Sequence, residues 1–134
     1  FIDVYHRNGL YPVQLPYVLG LEGSGTVSRI GSGVDTLAVG DRVAWTGAPG
    51  SYAQYVAVPA EKLMKIPKAI GFPEAAAVML QGITAHYLAV DTYPIRKGDT
   101  VLIHAAAGGV GQLLVQVAKR RGARVLATVS HSAL

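Results

Sequence analysis

Apolar and polar positions change their rhythm once along this chain, near Pro67. Before it, short runs alternate with period two. Thr26, Val27, Ser28, Arg29 and Ile30 alternate inside the glycine-bounded stretch 23–31, and Gly40-Asp41 turns the chain into a run at 39–45. Residues 51–59 alternate until Pro59 stops them, and 62–67 end at Pro67. Alternation puts every second side chain on one face of a pleated strand, so four or five such runs predict a small β-barrel or sandwich. After Pro67 the period lengthens. Pro73 and Glu74 open a helix, because proline suits the first helical position and an acid suits its positive end. That helix, predicted over 74–90, reads as largely buried, with Gly82 as its weak point. Lys97-Gly98-Asp99 makes a turn and 100–106 an apolar strand. Leu113, Leu114, Val117 and Ala118 then recur at helical spacing within 109–121, Gly122 ends the helix, and 124–130 is a second apolar strand. Strand, glycine-rich turn, helix, strand is half of a doubly wound parallel sheet. The predicted class is α/β plus β.

Composition narrows this little but excludes much. The 134 residues suffice for one ordinary domain or pieces of two. The chain opens at Phe1 and stops at Leu134 just after an apolar run, without cap or linker, and is expected to be an internal segment of a longer protein. Hydrophobic residues at 51% and charged residues at 15% predict a packed core, and 16 glycines with 7 prolines suit short strands and tight turns. There is no cysteine, so disulfides and thiolate zinc sites are excluded within this segment. The uncharged stretch that might mimic a membrane span, 75–90, is interrupted by Gln81, Gly82 and His86 and is too short for that role. A soluble cytoplasmic protein is the default expectation. The net charge of +4 is dispersed except at Lys119-Arg120-Arg121 and Arg124, where cations complement a helix C-terminus. No basic run interleaved with aromatics supports nucleic-acid binding.

The stretch "IHAAAGGVGQLLVQVAK" (103–119) carries the chemistry. A surface connection ordinarily uses Asn, Asp, Ser or Pro, whereas Ala and Gly let something approach the backbone closely. Ala106-Ala107-Gly108-Gly109-Val110-Gly111 fits the dinucleotide fingerprint with Ala at its first glycine position. Gly108 would admit a pyrophosphate to the N–H groups of the helix turn, and Gly111 would let helix and strand pack closely. The competing reading is a tight packing turn in an α/β domain that binds no nucleotide.

Residues 98–119, "GDTVLIHAAAGGVGQLLVQVAK", resemble the motif of the quinone oxidoreductase (zeta-crystallin-like) branch of the zinc-free medium-chain dehydrogenase/reductase superfamily. The resemblance runs through "FIDVYHRNGLYP" (1–12), "LGLEGSGTVSRIGSGV" (19–34), "VGDRVAW" (39–45) and "AAAVMLQGITAHYL" (75–88) in family order. It implies a GroES-like β-barrel catalytic domain, in part, over 1–94 with a connecting helix. The opening of a Rossmann NADP-binding domain would follow over 95–134. Zinc alcohol dehydrogenases of the superfamily have Gly-His-Glu-x-x-Gly where this chain has Gly20-Leu21-Glu22-Gly23-Ser24-Gly25. Leu21 stands in place of the zinc-binding imidazole, and His6, His86, His104 and His131 show no metal-ligand spacing, so no metal is expected.

Without zinc, hydrogen-bond donors must polarise the acceptor oxygen, and the resemblance implies Tyr5 and Tyr11, in a segment beside the nicotinamide. Half-buried packing is the alternative for both rings. Asp3 reads as a residue that fixes this loop or caps a helix. Gln81, Thr84 and Tyr87 share a helix face at i, i+3 and i+6, which the resemblance sets against the cofactor; a polar strip on a buried helix is the alternative. Ala106, Gly108, Gly109, Val110 and Gly111 complete the expected cofactor contacts. NAD enzymes place a carboxylate about 20 residues beyond the glycine turn. Here Ser130 holds that position and no acid follows within this sequence, which favours NADPH. The activity expected of the full-length protein is NADPH-dependent reduction of quinones, by a homodimer. Reduction of 2-alkenals or other conjugated carbonyls, and a non-catalytic crystallin-like protein that keeps the nucleotide fold, remain open.

Overall fold

The computed structural model describes residues 1–131, so the last residues of the predicted second domain, 132–134, lie outside the described residues. Packing divides the chain into two compact units, Phe1–Met79 and Leu80 onward, with the division falling inside a helix.

The first unit opens with a short helix, α1 (Ile2–Arg7), where a loop was expected. Three strands follow: β1 (Glu22–Thr26), β2 (Arg42–Thr46) and β3 (Leu63–Lys65), antiparallel in the order β1-β2-β3. Gly23 faces Trp45 across the ladder, and a Cβ on Gly23 would come within 2.7 Å of the indole. The absent side chain therefore lets the ring lie over β1, where Trp45 Nε1 donates to Ser51 Oγ at 2.9 Å. Val43, Trp45 and Ala48 form the core, joined by Val27, Leu37, Val56, Val58 and Leu63. The alternating run 51–59 is not a strand. Ser51 and Tyr52 donate to Gly20 and Leu19, and there the pairing stops. Its alternation reflects Val56 and Val58 packing on the core from an irregular segment. The expected strand at 23–31 likewise ends at Thr26, with one further exchange between Val27 and the Gly40-Asp41 turn.

Helix α2 (Phe72–Tyr87) starts in the first unit, where Ala75 and Met79 pack on Ala44 of β2. Arg42 holds its beginning, with its guanidinium 4.6 Å above the Phe72 ring and donating to the carbonyls of Pro67, Lys68 and Ile70. Gly82 does not break the helix, which passes into a wider π-type turn at Leu88–Thr92. The expectation of a largely buried helix is not met. Val78, Leu80 and Ile83 are 42%, 50% and 46% exposed, because the contacts run through the small residues and Met79.

The second unit adds β4 (Thr100–Ile103), α3 (Gly109–Arg120) and β5 (Arg124–Ala127). The strands are parallel, with Thr100 opposite Arg124 and Ile103 opposite Ala127. Ala118 of α3 packs on Ala89 and Ile95, with Val101 and Val125 beneath. Both strands stop about three residues short of their predicted ends, and this is where the turn geometry begins.

Candidate functional site

The β4–α3 connection departs from regular structure at His104. Ala105 has φ 50°, the one left-handed non-glycine residue among those described. An L-residue there sets Cβ against its own carbonyl, at a cost of roughly 1–2 kcal/mol. The Ala105 carbonyl accepts the Gly108 N–H at 2.9 Å, closing a turn that sends the chain into α3. Gly108 is the N-cap, extended at φ −77° and ψ 168°, and no side chain caps the helix. Gln112 is the first residue of α3 to donate backward, to Gly108 at 2.9 Å. The N–H groups of Gly109, Val110 and Gly111 precede any carbonyl of their own helix, and no backbone acceptor meets them among the described residues.

The glycines of this turn do different work. A Cβ on Gly108 would meet only the Ala105 oxygen, at 3.2 Å, so the missing side chain leaves a cradle beside the free N–H groups. A Cβ on Gly111 would overlap the Ala105 carbonyl oxygen and come within 2.7 Å of Ala106 Cα, so Gly111 is where α3 touches the turn. A Cβ on Gly109 would come within 2.9 Å of Gln81 Cγ. Ala106 is buried and Val110 half-buried beside them. Gln81 of α2 thus lies over the start of α3, and its Oε1 is buried without a hydrogen-bond partner. Thr84 is half-buried and Tyr87 exposed on the same helix. Ser130, three residues past β5, is exposed and already engaged in an interaction of its own.

Beyond β5, Thr128 grips this connection from three sides. Its N–H donates to Ile103 and its carbonyl accepts from Ala106, each at 3.0 Å. Its Oγ1 is hydrogen-bonded to His104 Nδ1 at 2.9 Å. Nothing in the sequence singles out Thr128 or the left-handed Ala105, since alanine carries no mark of that conformation.

In the first unit, α1 holds Tyr5 against Tyr11, ring centroids 5.4 Å apart and edge-on at 62°, with the Tyr11 N–H donating to the Tyr5 carbonyl at 3.1 Å. Neither phenol hydroxyl finds a hydrogen-bond partner among the described residues. Asp3 anchors this helix. Its Oδ1 accepts the Gly20 N–H at 2.9 Å and its Oδ2 the Tyr52 hydroxyl at 3.2 Å. The Asp3 charge, and then that hydrogen bond, raise the Tyr52 phenol above its ordinary 10.0. A cavity of about 420 Å³ opens beside α1, walled by His6, Arg7, Val13, Leu15, Tyr17 and Leu19. A second, of about 390 Å³, is walled by Val27, Val43, Trp45, Val56 and other apolar side chains of the core. Leu21 precedes β1 and accepts the Ala48 N–H. Among the described residues no three His, Asp or Glu side chains stand close enough to share a metal ion, and no helix is long and apolar enough to cross a membrane.

An antiparallel sheet with an anchored tyrosine pair, followed by a strand–glycine turn–helix–strand unit, defines a class that sequence comparison identifies. The alcohol dehydrogenase GroES-like domain matches residues 1–68, and the chain belongs to that family. It is 51% identical over 132 residues to the quinone oxidoreductase of Pseudomonas aeruginosa, covering 97% of this chain and 41% of that protein. It is 44% identical over 137 residues to a 2-haloacrylate reductase of a Burkholderia species, covering 97% of this chain and 41% of that one. The crystal structure of Escherichia coli quinone oxidoreductase complexed with NADPH matches with a TM-score of 0.93 at 44% identity, over 99% of this chain and 42% of that chain. The chain therefore spans about two-fifths of the length of these relatives.

Proposed function

We propose that the protein carrying this chain reduces quinones by hydride transfer from NADPH, without zinc. One observation carries the reading: the β4–α3 turn presents three N–H groups without backbone acceptors beside a cradle that a Cβ on Gly108 would fill. That is the chemistry of a pyrophosphate seat, and NADPH accompanies the Escherichia coli relative. Gly108, Gly109, Val110 and Gly111 would hold the pyrophosphate, with Ala106 supporting the turn. Gln81, Thr84 and Tyr87 would face the nicotinamide end, and the buried, unpartnered Oε1 of Gln81 is a group that a bound amide donor would satisfy. Ser130 would receive the 2′-phosphate, where a carboxylate would repel it. NADPH would supply the hydride.

The phenols of Tyr5 and Tyr11 would donate to the acceptor oxygen as negative charge develops on it, and the edge-on rings suit a flat acceptor. That role replaces a Lewis acid; the absence of cysteine from these 134 residues and the presence of Leu21 beside Glu22 support it. As functional domains we take 1–94 for catalysis and 95–134 for the opening of the NADP-binding part. We take the enzyme to be cytoplasmic and homodimeric, on the family resemblance alone. Reduction of a conjugated C=C bond is the second reading, favoured by the likeness to a 2-haloacrylate reductase.

Nicotinamide-fluorescence titration of the full-length protein tests the cofactor, and turnover with 1,4-benzoquinone, 9,10-phenanthrenequinone and 2-alkenals tests the acceptor. Saturable NADPH binding with faster quinone than alkenal turnover is expected. Absence of NADPH binding would overturn the proposal.

A further inference from the structure

We infer that Thr128 and His104 are positioning residues for the cofactor, acting by holding Ala105 in its left-handed conformation; the inference rests on the NADPH reading above. Ala105 is strained at φ 50°, and such a residue persists only where its surroundings over-determine it. Here the surroundings can be named. Thr128 is bonded to Ile103, His104 and Ala106, the residues on both sides of Ala105, through its N–H, hydroxyl and carbonyl. The two backbone bonds bracket Ala105 past the end of the β4–β5 ladder, with the Ala106 N–H donating where a regular parallel step would use that of Ala105. The side-chain bond from Oγ1 to His104 Nδ1 is the added element, and it closes over the N-terminal flank of Ala105.

What the grip holds is the direction of one carbonyl. The Ala105 oxygen accepts the Gly108 N–H and lies where any Cβ on Gly111 would fall. It thereby sets both the N-cap of α3 and the depth at which α3 seats. If Ala105 relaxed to an ordinary φ, that oxygen would swing, the Gly108 N–H would lose its acceptor, and the N–H groups of Gly109, Val110 and Gly111 would lose their common direction. Neither side chain need touch the nucleotide for this. Both Thr128 and His104 are exposed, so the bond between them contributes little to global stability and serves the local geometry.

The test is a cycle in the full-length protein, read as the NADPH dissociation constant. Thr128→Val removes the hydroxyl and keeps the shape and both backbone bonds. One exposed hydrogen bond corresponds to a weakening of about three- to ten-fold. Thr128→Ser restores the hydroxyl and should bind like the unmodified protein. Ala105→Gly adopts a positive φ without strain. In that background Thr128→Val should change binding by less than about two-fold, a rescue that a merely structural loss would not show. Far-ultraviolet circular dichroism establishes that each variant is folded, and if Thr128→Val alone is not, His104→Phe takes its place in the cycle. Equal binding by Thr128→Val and the unmodified protein, or the same loss with and without Ala105→Gly, would refute the inference while leaving the NADPH reading intact. An unmodified protein that binds no NADPH would refute both.

Discussion

Gly111→Ala places one methyl group where the turn has no room. The new Cβ would overlap the Ala105 oxygen and lie 2.7 Å from Ala106 Cα and 3.0 Å from the Ala105 carbonyl carbon. All three are backbone atoms, and Ala105 and Ala106 are tied to Gly108 and Thr128, so no side chain can swing aside. Helix α3 must lift off the turn. Overpacking of this kind costs about 1–3 kcal/mol, and the rigid neighbours point to the upper half. Replacing glycine by alanine in a helix returns at most about 1 kcal/mol. The net loss is about 1–2 kcal/mol, or about 2–8 °C in the melting midpoint of a domain of ordinary size. Gly109→Ala is the control, because its Cβ would meet Gln81 Cγ at 2.9 Å, on a side chain that can move. It should stay within roughly 1 kcal/mol of the unmodified protein. Thermal unfolding of the full-length protein followed by circular dichroism reads both. A Gly111→Ala midpoint at or above that of the unmodified protein would show that the α3–turn contact does not constrain the helix.

Gly108→Val would fill the cradle beside the free N–H groups, so NADPH titration should show loss of binding with the fold largely kept; an unchanged dissociation constant would make the turn purely structural. Ser130→Asp should shift the kcat/KM ratio from NADPH toward NADH, and an unaltered ratio would remove Ser130 from the cofactor site. Gly20→Ala combines a φ of +90° with a Cβ 2.8 Å from the Tyr52 N, and should destabilise by at least about 2 kcal/mol in denaturant unfolding. Asp41 bonds Lys65 at 2.8 Å and the Ala38 N–H, and these hold its carboxyl below its ordinary 3.8, Lys65 foremost. A depressed carboxylate stabilises the fold above its unfolded value and ceases to as pH falls through the folded one. Between about pH 5 and about pH 3, Asp41→Asn should therefore lose less of its melting midpoint than the unmodified protein.

The second half of the chain was legible because its signals are local. The 3.6-residue recurrence of Leu113, Leu114, Val117 and Ala118 marks α3, Gly122 ends it, and the apolar runs on either side can only be strands once they are linked by that helix. The glycine turn was legible for the same reason, since small residues between strand and helix announce a close approach. In the first half, period two was a poorer guide. At 39–45 it marked β2, which finds a partner on each side, whereas at 51–59 it marked an irregular segment whose valines reach the core without a ladder.

The fingerprint spacing separated Gly108, for close approach, from Gly111, for packing, but not the atom each would meet. Both face the Ala105 oxygen, 3.2 Å from a Cβ on Gly108 and overlapped by one on Gly111, so the difference rests on where that oxygen points. That direction follows from a left-handed alanine, a conformation its own side chain disfavours and the sequence therefore cannot signal. The pairing of Tyr5 with Tyr11, the anchoring of α1 by Asp3 to Gly20 and Tyr52, and the hold of Thr128 on His104 join residues up to 49 positions apart. Patterning encodes which face of an element is apolar, because that is a property of neighbours along the chain. The hydrogen bonds that hold a strained residue form only after separate elements meet, so the tertiary structure alone decides them.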